Sequence, residues 1–166
     1  MKRRLKRAPS AAYESEPSPV WRRILTVPLV PQAVRQARRD TATALSEHAI
    51  PANSAFAGAV LLVVSELVTN AVRHAADRSP TADVTIALGA GQLVIGVADQ
   101  DPRLPDLSPE AMGEGLRTVA DLTAAYSGSL SVERPAHGQG KVVLTRFLIP
   151  EDMGPSAGRR AGACAL

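Results

Sequence analysis

Residues Leu62–Ala75 read Leu-Val-Val-Ser-Glu-Leu-Val-Thr-Asn-Ala-Val-Arg-His-Ala, and their spacing decides how the rest of the chain is read. Apolar residues at Val60, Leu61, Leu62, Val63 and Val64 lie on almost every side of a helix, so this helix is expected to be buried. Pro51 breaks the chain ahead of it, Asn53 or Ser54 can cap it, and it is expected to run to about Ala76. Glu66, Asn70 and His74 stand four residues apart and rise from one face in a line. One reading is the wet stripe of an amphipathic helix. The other is a pocket, because the polar line is narrow and Asn competes with helix hydrogen bonds in a helix interior.

On the N-terminal side, Trp21–Val27 reads as a strand stopped by Pro28 and Pro31. Gln32–His48 reads as an amphipathic helix with Val34, Ala37, Thr41, Ala44 and Leu45 inward. On the C-terminal side, Asp83–Leu88 and Gln92–Ala98 are strands joined at Gly89-Ala90-Gly91, a hairpin signal. Residues 99–114 form a loop with three prolines, Gly115–Tyr126 a helix, and Gly128–Glu133 and Lys141–Ile149 the last two strands, around a Pro/Gly turn. Hairpin-linked strands with grouped helices predict an α+β two-layer sandwich: a mixed, mostly antiparallel sheet with helices on one face. A parallel dinucleotide-binding fold requires strict alternation and is disfavoured.

The chain has 166 residues, 45% hydrophobic and 21% charged, which suits one globular domain with tails. Residues 20–150 are the expected domain. Residues 1–19 and 151–166 are expected to be disordered, being Pro-rich or rich in Gly, Ala and Arg, with few large apolar groups. The net charge of +3 comes from the first tail, where Lys2, Arg3, Arg4, Lys6 and Arg7 stand together. Between Val20 and Pro150, twelve Arg and Lys face twelve Asp and Glu. A neutral body lacks the basic stripe of a nucleic-acid binder. The lone Cys164 can form neither an internal disulfide nor a cysteine zinc site. No secretory signal or uninterrupted apolar run of membrane-spanning length is read, so a cytoplasmic protein without membrane contact is expected.

Glu66 and Asn70 make chemical sense together beside a magnesium-bound phosphate. An amide oxygen is a neutral hard ligand for one position on Mg²⁺, and a carboxylate one turn away can accept a proton from an incoming hydroxyl. His74 stays open between a phosphate-side contact and a structural histidine. Asp99 ends a strand, where a carboxylate can accept from the exocyclic amino group of adenine or start a turn. Gly113 and Gly115 precede a helix, where glycines admit close backbone approach and free N–H groups bind phosphate.

Taken in chain order, Glu66-x-x-x-Asn70, Asp99, Gly113-x-Gly115-Leu116 and Gly138-x-Gly140-Lys141 resemble the successive boxes of the GHKL-type ATPases. Ser-Glu-Leu-Val-Thr-Asn-Ala-Val-Arg-His-Ala is similar to the single-domain anti-sigma-factor serine/threonine kinases, and Asp-Pro-Arg-Leu-Pro to short actinobacterial regulatory ATP-binding proteins. The resemblance implies an ATP and Mg²⁺ site with residues 100–114 as a lid. In it Asn70 holds the metal, Asp99 reads adenine, Glu66 is the catalytic base and Gly113 and Gly115 approach the phosphates. His74, Arg103, Leu116 and Lys141 join the nucleotide contacts. It implies transfer of a phosphoryl group to a serine on an anti-sigma-factor antagonist, binding of a sigma factor, and a homodimer. Asp101 and Arg103 replace the family's lid glycines, Glu114 stands where relatives carry Arg (turned, on this reading, toward Arg117), and Val142 replaces an adenine-side Thr. These departures keep a second reading open: an ATP-responsive binding module with little or no transfer.

Overall fold

The computed structural model describes residues 20–135 and 138–153. Both tails as expected to be disordered, apart from residues 151–153, lie outside the described residues. Five strands and three helices follow in the order β1 (Trp21–Pro28), α1 (Gln32–Glu47), α2 (Ala55–His74), β2 (Thr81–Gly89), β3 (Gln92–Asp99), α3 (Glu114–Ala125), β4 (Ser129–Glu133) and β5 (Lys141–Leu148). The sheet order is β1-β2-β3-β5-β4, and all four pairings are antiparallel. The α+β sandwich forms as expected, without any parallel pair among the described residues.

Local chemistry sets the element ends. Ser54 Oγ accepts from Ala57 N at 3.1 Å and caps α2, satisfying one of the orphan donors of its first turn. Pro28 is tolerated because β1 is an edge strand. Ala90 and Gly91 both have positive φ (51° and 73°), the conformation that a tight hairpin turn with matched strand twist demands. Helix α3 starts one residue earlier than expected, at Glu114, with Gly113 extended as its N-cap (φ −69°, ψ 167°).

All three helices lie on one face of the sheet. Helix α2 packs between α1 and α3 and over β3. Its length and mean hydropathy of 1.9 would suffice to cross a membrane, although Ser65, Glu66, Thr69 and Asn70 interrupt its apolar run. Its apolar surface is instead used inside the domain: Phe56, Val60, Val63, Val64 and Val68 are fully buried. Phe56 stands edge-on to Tyr126 (5.0 Å between centroids) and Phe147 (6.1 Å), joining α2 to α3 and β5. Each such buried side chain contributes about 1.5–3 kcal/mol. Alternation along the strands sends Val84, Ile86, Leu93, Ile95 and Phe147 into this core and leaves Ile24 and Leu148 exposed on the other face. The chain stays ordered past Pro150: Glu151–Met153 form a 3₁₀ turn, and Met153 packs against the core. Residues 151–153, expected to belong to the C-terminal tail, are thus among the described residues.

Candidate functional site

The C-terminal half of α2, the end of β3, the following loop, the start of α3 and the start of β5 enclose a cleft of about 620 Å³. Asn70, His74, Asp99, Arg103, Gly113, Gly115, Leu116 and Lys141 all line it, together with Leu67, Val97, Leu104 and Val143. An apolar floor with a few convergent polar groups is the usual make-up of a small-molecule site. Glu66 is not among the lining residues. It sits one turn before Asn70, half-buried behind Gly115.

Gly115 explains why those two side chains can share the end of the cleft. A Cβ there would lie 2.6 Å from Glu66 Oε2 and 3.7 Å from Asn70 Oδ1. Any larger residue would push the carboxylate aside. Asn70 Nδ2 is buried with no protein partner, so the amide is not consumed by the fold. Leaving such a group unpaired costs about 1–3 kcal/mol, which suits a side chain kept for a ligand. Glu66 likewise has no ion pair or hydrogen bond among the described residues. The amide oxygen of Asn70 is a neutral hard donor that fits a cation taking its other ligands from water and phosphate, with the Glu66 carboxylate beside it.

At the opposite end, Asp99 is buried and its Oδ1 accepts twice, from Lys141 Nζ at 2.9 Å and from Asp101 N at 2.9 Å. Its Oδ2 has no partner among the described residues. Asp101 is also buried, and Arg103 Nε reaches both of its oxygens at 2.9 Å. Arg103 Nη2 also donates to the His74 carbonyl at 2.6 Å. Asp101 and Arg103 thus fasten the start of the 100–114 loop to the end of α2. Gln100 N donates to Ser79 Oγ at 3.0 Å, a further tie at the same point. The loop's other end is held by Arg117 Nη2, which donates to the carbonyls of Pro109 and Met112. Contrary to the expectation, Arg117 therefore does not turn Glu114 away; Glu114 is exposed at the cleft's edge. Val142 lies on the outward side of β5, while Lys141 and Val143 line the cleft, so the missing Thr hydroxyl has no place there.

The His74 ring is exposed at the rim, and its backbone carbonyl is what holds Arg103. The sequence reading missed the buried Asp101, whose signal was its spacing, two residues from both Asp99 and Arg103. The Arg103 guanidinium bonded to it holds the Asp101 carboxyl well below the usual carboxylate range, against the opposing effect of burial. The stability this confers is present above about pH 3.9, the ordinary carboxylate value, and is lost as pH falls through the lower folded value. Asp101→Asn is expected to destabilise the fold at pH 7, because the buried carboxylate that holds Arg103 loses its charge. Urea unfolding at pH 7 and pH 2 should show the gap from wild type narrowing in acid. An equal gap at both pH values would mean that the charge is not what matters.

The chain belongs to the histidine kinase-like ATPase domain family, which it matches over residues 27–144. That makes it an ATP-binding, kinase-like domain. The histidine kinase domain of the Erythrobacter litoralis EL346 blue-light activated histidine kinase is similar in structure, with a TM-score of 0.52 and 24% identity over 74% of this chain and 62% of that one. The longer EL346 structure gives 0.51 and 24%, over 74% and 42%. This chain therefore spans less than two thirds of either, and the likeness is one of fold. No curated protein matches it.

Proposed function

We propose that this protein is a cytoplasmic ATP-dependent serine/threonine protein kinase of the anti-sigma type, binding MgATP in the cleft between α2 and the lid. The observation that carries the reading is the convergence of Glu66 Oε2 and Asn70 Oδ1 on Gly115, at the start of α3. Bound MgATP supplies the γ-phosphoryl group and offsets the charge around it. Asn70 would hold the metal, Asp99 would read the adenine, and Gly113 and Gly115 would give the triphosphate access to the free N–H groups of α3. Glu66 would take the proton from an acceptor hydroxyl as that oxygen bonds to the γ-phosphorus and the bond to the departing ADP oxygen breaks. The likeness of residues 65–75 to anti-sigma-factor kinases supports a sigma factor and a serine-bearing antagonist as partners, and a homodimer as the working form.

A second reading is an ATP-responsive binding module in the same kind of partner-switching pathway. It is favoured by the Arg103–Asp101 pair, which stiffens the lid's start, and by Glu114 at the cleft's edge. Incubation with γ-labelled ATP, Mg²⁺ and a candidate antagonist separates the two: label on the antagonist supports the kinase, and ATP-dependent capture without label supports the module.

Asn70→Ala tests the metal role common to both. It is expected to weaken MgATP by at least the 10–100-fold, roughly, that losing an outer partner of a metal ligand costs. With EDTA present, the two proteins should bind ATP alike. Calorimetry showing equal MgATP affinity for both would remove Asn70 from the metal site.

A further inference from the structure

Lys141 resembles a nucleotide contact in sequence, and in the structure its ammonium group is engaged by Asp99 and Asp101. It is buried, donating to Asp99 Oδ1 at 2.9 Å and to the Asp101 carbonyl at 3.3 Å, with Asp101 Oδ2 at 3.7 Å. We infer that Lys141 is a positioning residue for base recognition: it holds Asp99 by one oxygen and leaves Oδ2 as a fixed acceptor for the exocyclic amino group of a purine. The inference rests on the ATP reading proposed above and assigns a cause to its base selectivity.

The register makes this arrangement. Asp99 and Lys141 are direct partners across the β3–β5 ladder, and both side chains line the cleft on the helix-covered face. Gly140 has φ +111°, and a Cβ there would overlap the Asp99 carbonyl, so only glycine lets β5 begin hard against the end of β3. Opposite charges at such a cross-strand pair attract, and burial strengthens that attraction relative to water. Arg103 completes the set. It occupies both oxygens of Asp101, so Lys141 is not drawn wholly to that second carboxylate. Two carboxylates and two cations then balance, and each carboxylate has its own cation. With Oδ1 taken by Lys141 and Asp101 N, rotation of the Asp99 carboxylate would break two hydrogen bonds. Oδ2 is thereby kept toward the cleft.

A phosphate-binding lysine and a base-positioning lysine differ in what they do to adenosine, which has no phosphate. Displacement of a fluorescent ATP analogue by adenosine, ATP and GTP should be measured for wild type and Lys141→Met. The expected result is a loss of about tenfold for adenosine and ATP alike, the scale of a charge-assisted hydrogen bond put out of place, with a reduced preference for ATP over GTP. Loss for ATP alone, with adenosine unchanged, would make Lys141 a phosphate contact and overturn the inference. No loss for either would overturn it too. A wild-type readout covers the case in which Lys141→Met does not fold: the Lys141 ammonium NMR signal should move on adding adenosine and stay in place on adding magnesium tripolyphosphate. The opposite pattern refutes the positioning role while leaving ATP binding intact, whereas wild type that binds neither adenosine nor ATP removes the ATP reading itself.

Discussion

Glu66→Gln is expected to leave ATP binding unchanged and to lower phosphoryl transfer by about 10²–10⁴-fold, the contribution of a positioned base. Glutamine keeps the length and shape of the side chain and loses only its capacity to accept a proton at neutral pH. Binding should be spared because Asn70, Asp99, Gly113 and Gly115, which line the cleft, are untouched. The fold should be spared because Glu66 has no ion pair to break among the described residues. Nucleotide affinity and transfer to the antagonist, measured side by side in both proteins, separate three cases. A fall in transfer alone supports Glu66 as base. Binding in both with transfer in neither supports the ATP-responsive module. Transfer that survives the substitution means that the base is another residue.

Helix α2 was legible because it carries every local signal at once: a breaking proline, a capping serine, an apolar surface and a polar line at helical spacing. Burial of Ala37, Thr41, Ala44 and Leu45 in α1 likewise follows from period alone. What period could not set is the exact facing of that helix. Ala33 is buried and Val34 only half-buried, so the smaller side chain meets the body of the domain. Average hydropathy was the weaker guide: α2 resembles a membrane span until α1, α3 and β3 are seen to cover it.

The two ends of the cleft differed in how readable they were, for a physical reason. Glu66, Asn70 and His74 are related by helical spacing, a local property that sequence carries directly. Asp99 and Lys141 stand 42 positions apart and meet only through the β3–β5 register. Arg103 was a candidate nucleotide contact in sequence, and the structure adds its bond to a buried carboxylate two residues away. Arg117 was paired in expectation with Glu114 and turns to the carbonyls of Pro109 and Met112. Long cationic side chains reach many partners, and which one they find depends on backbone groups that only the folded lid brings near.

The same contacts sharpen what Asp99→Asn should do. An asparagine amide can point either way, and in an open site it would serve adenine and guanine indifferently. Here one orientation is forced. The position of Oδ1 receives two donors, Lys141 Nζ and Asp101 N, so the amide oxygen must stay there, and its NH₂ group must take the place of Oδ2. The cleft then shows a donor where the wild type shows an acceptor. Adenine offers an amino group at that place and is mismatched, while guanine offers a carbonyl and is matched. ATP binding is expected to weaken by about ten- to hundred-fold, the equivalent of losing a hydrogen bond to a charged group, about 1.5–3 kcal/mol. GTP, which should bind poorly to the wild type, is expected to gain, so that the ratio of the two affinities moves in both directions at once. A general loss of stability cannot produce that crossing, since it would lower both. Titration of each nucleotide against wild type and Asp99→Asn decides the matter: ATP and GTP falling together, or neither changing, would mean that Asp99 does not read the base.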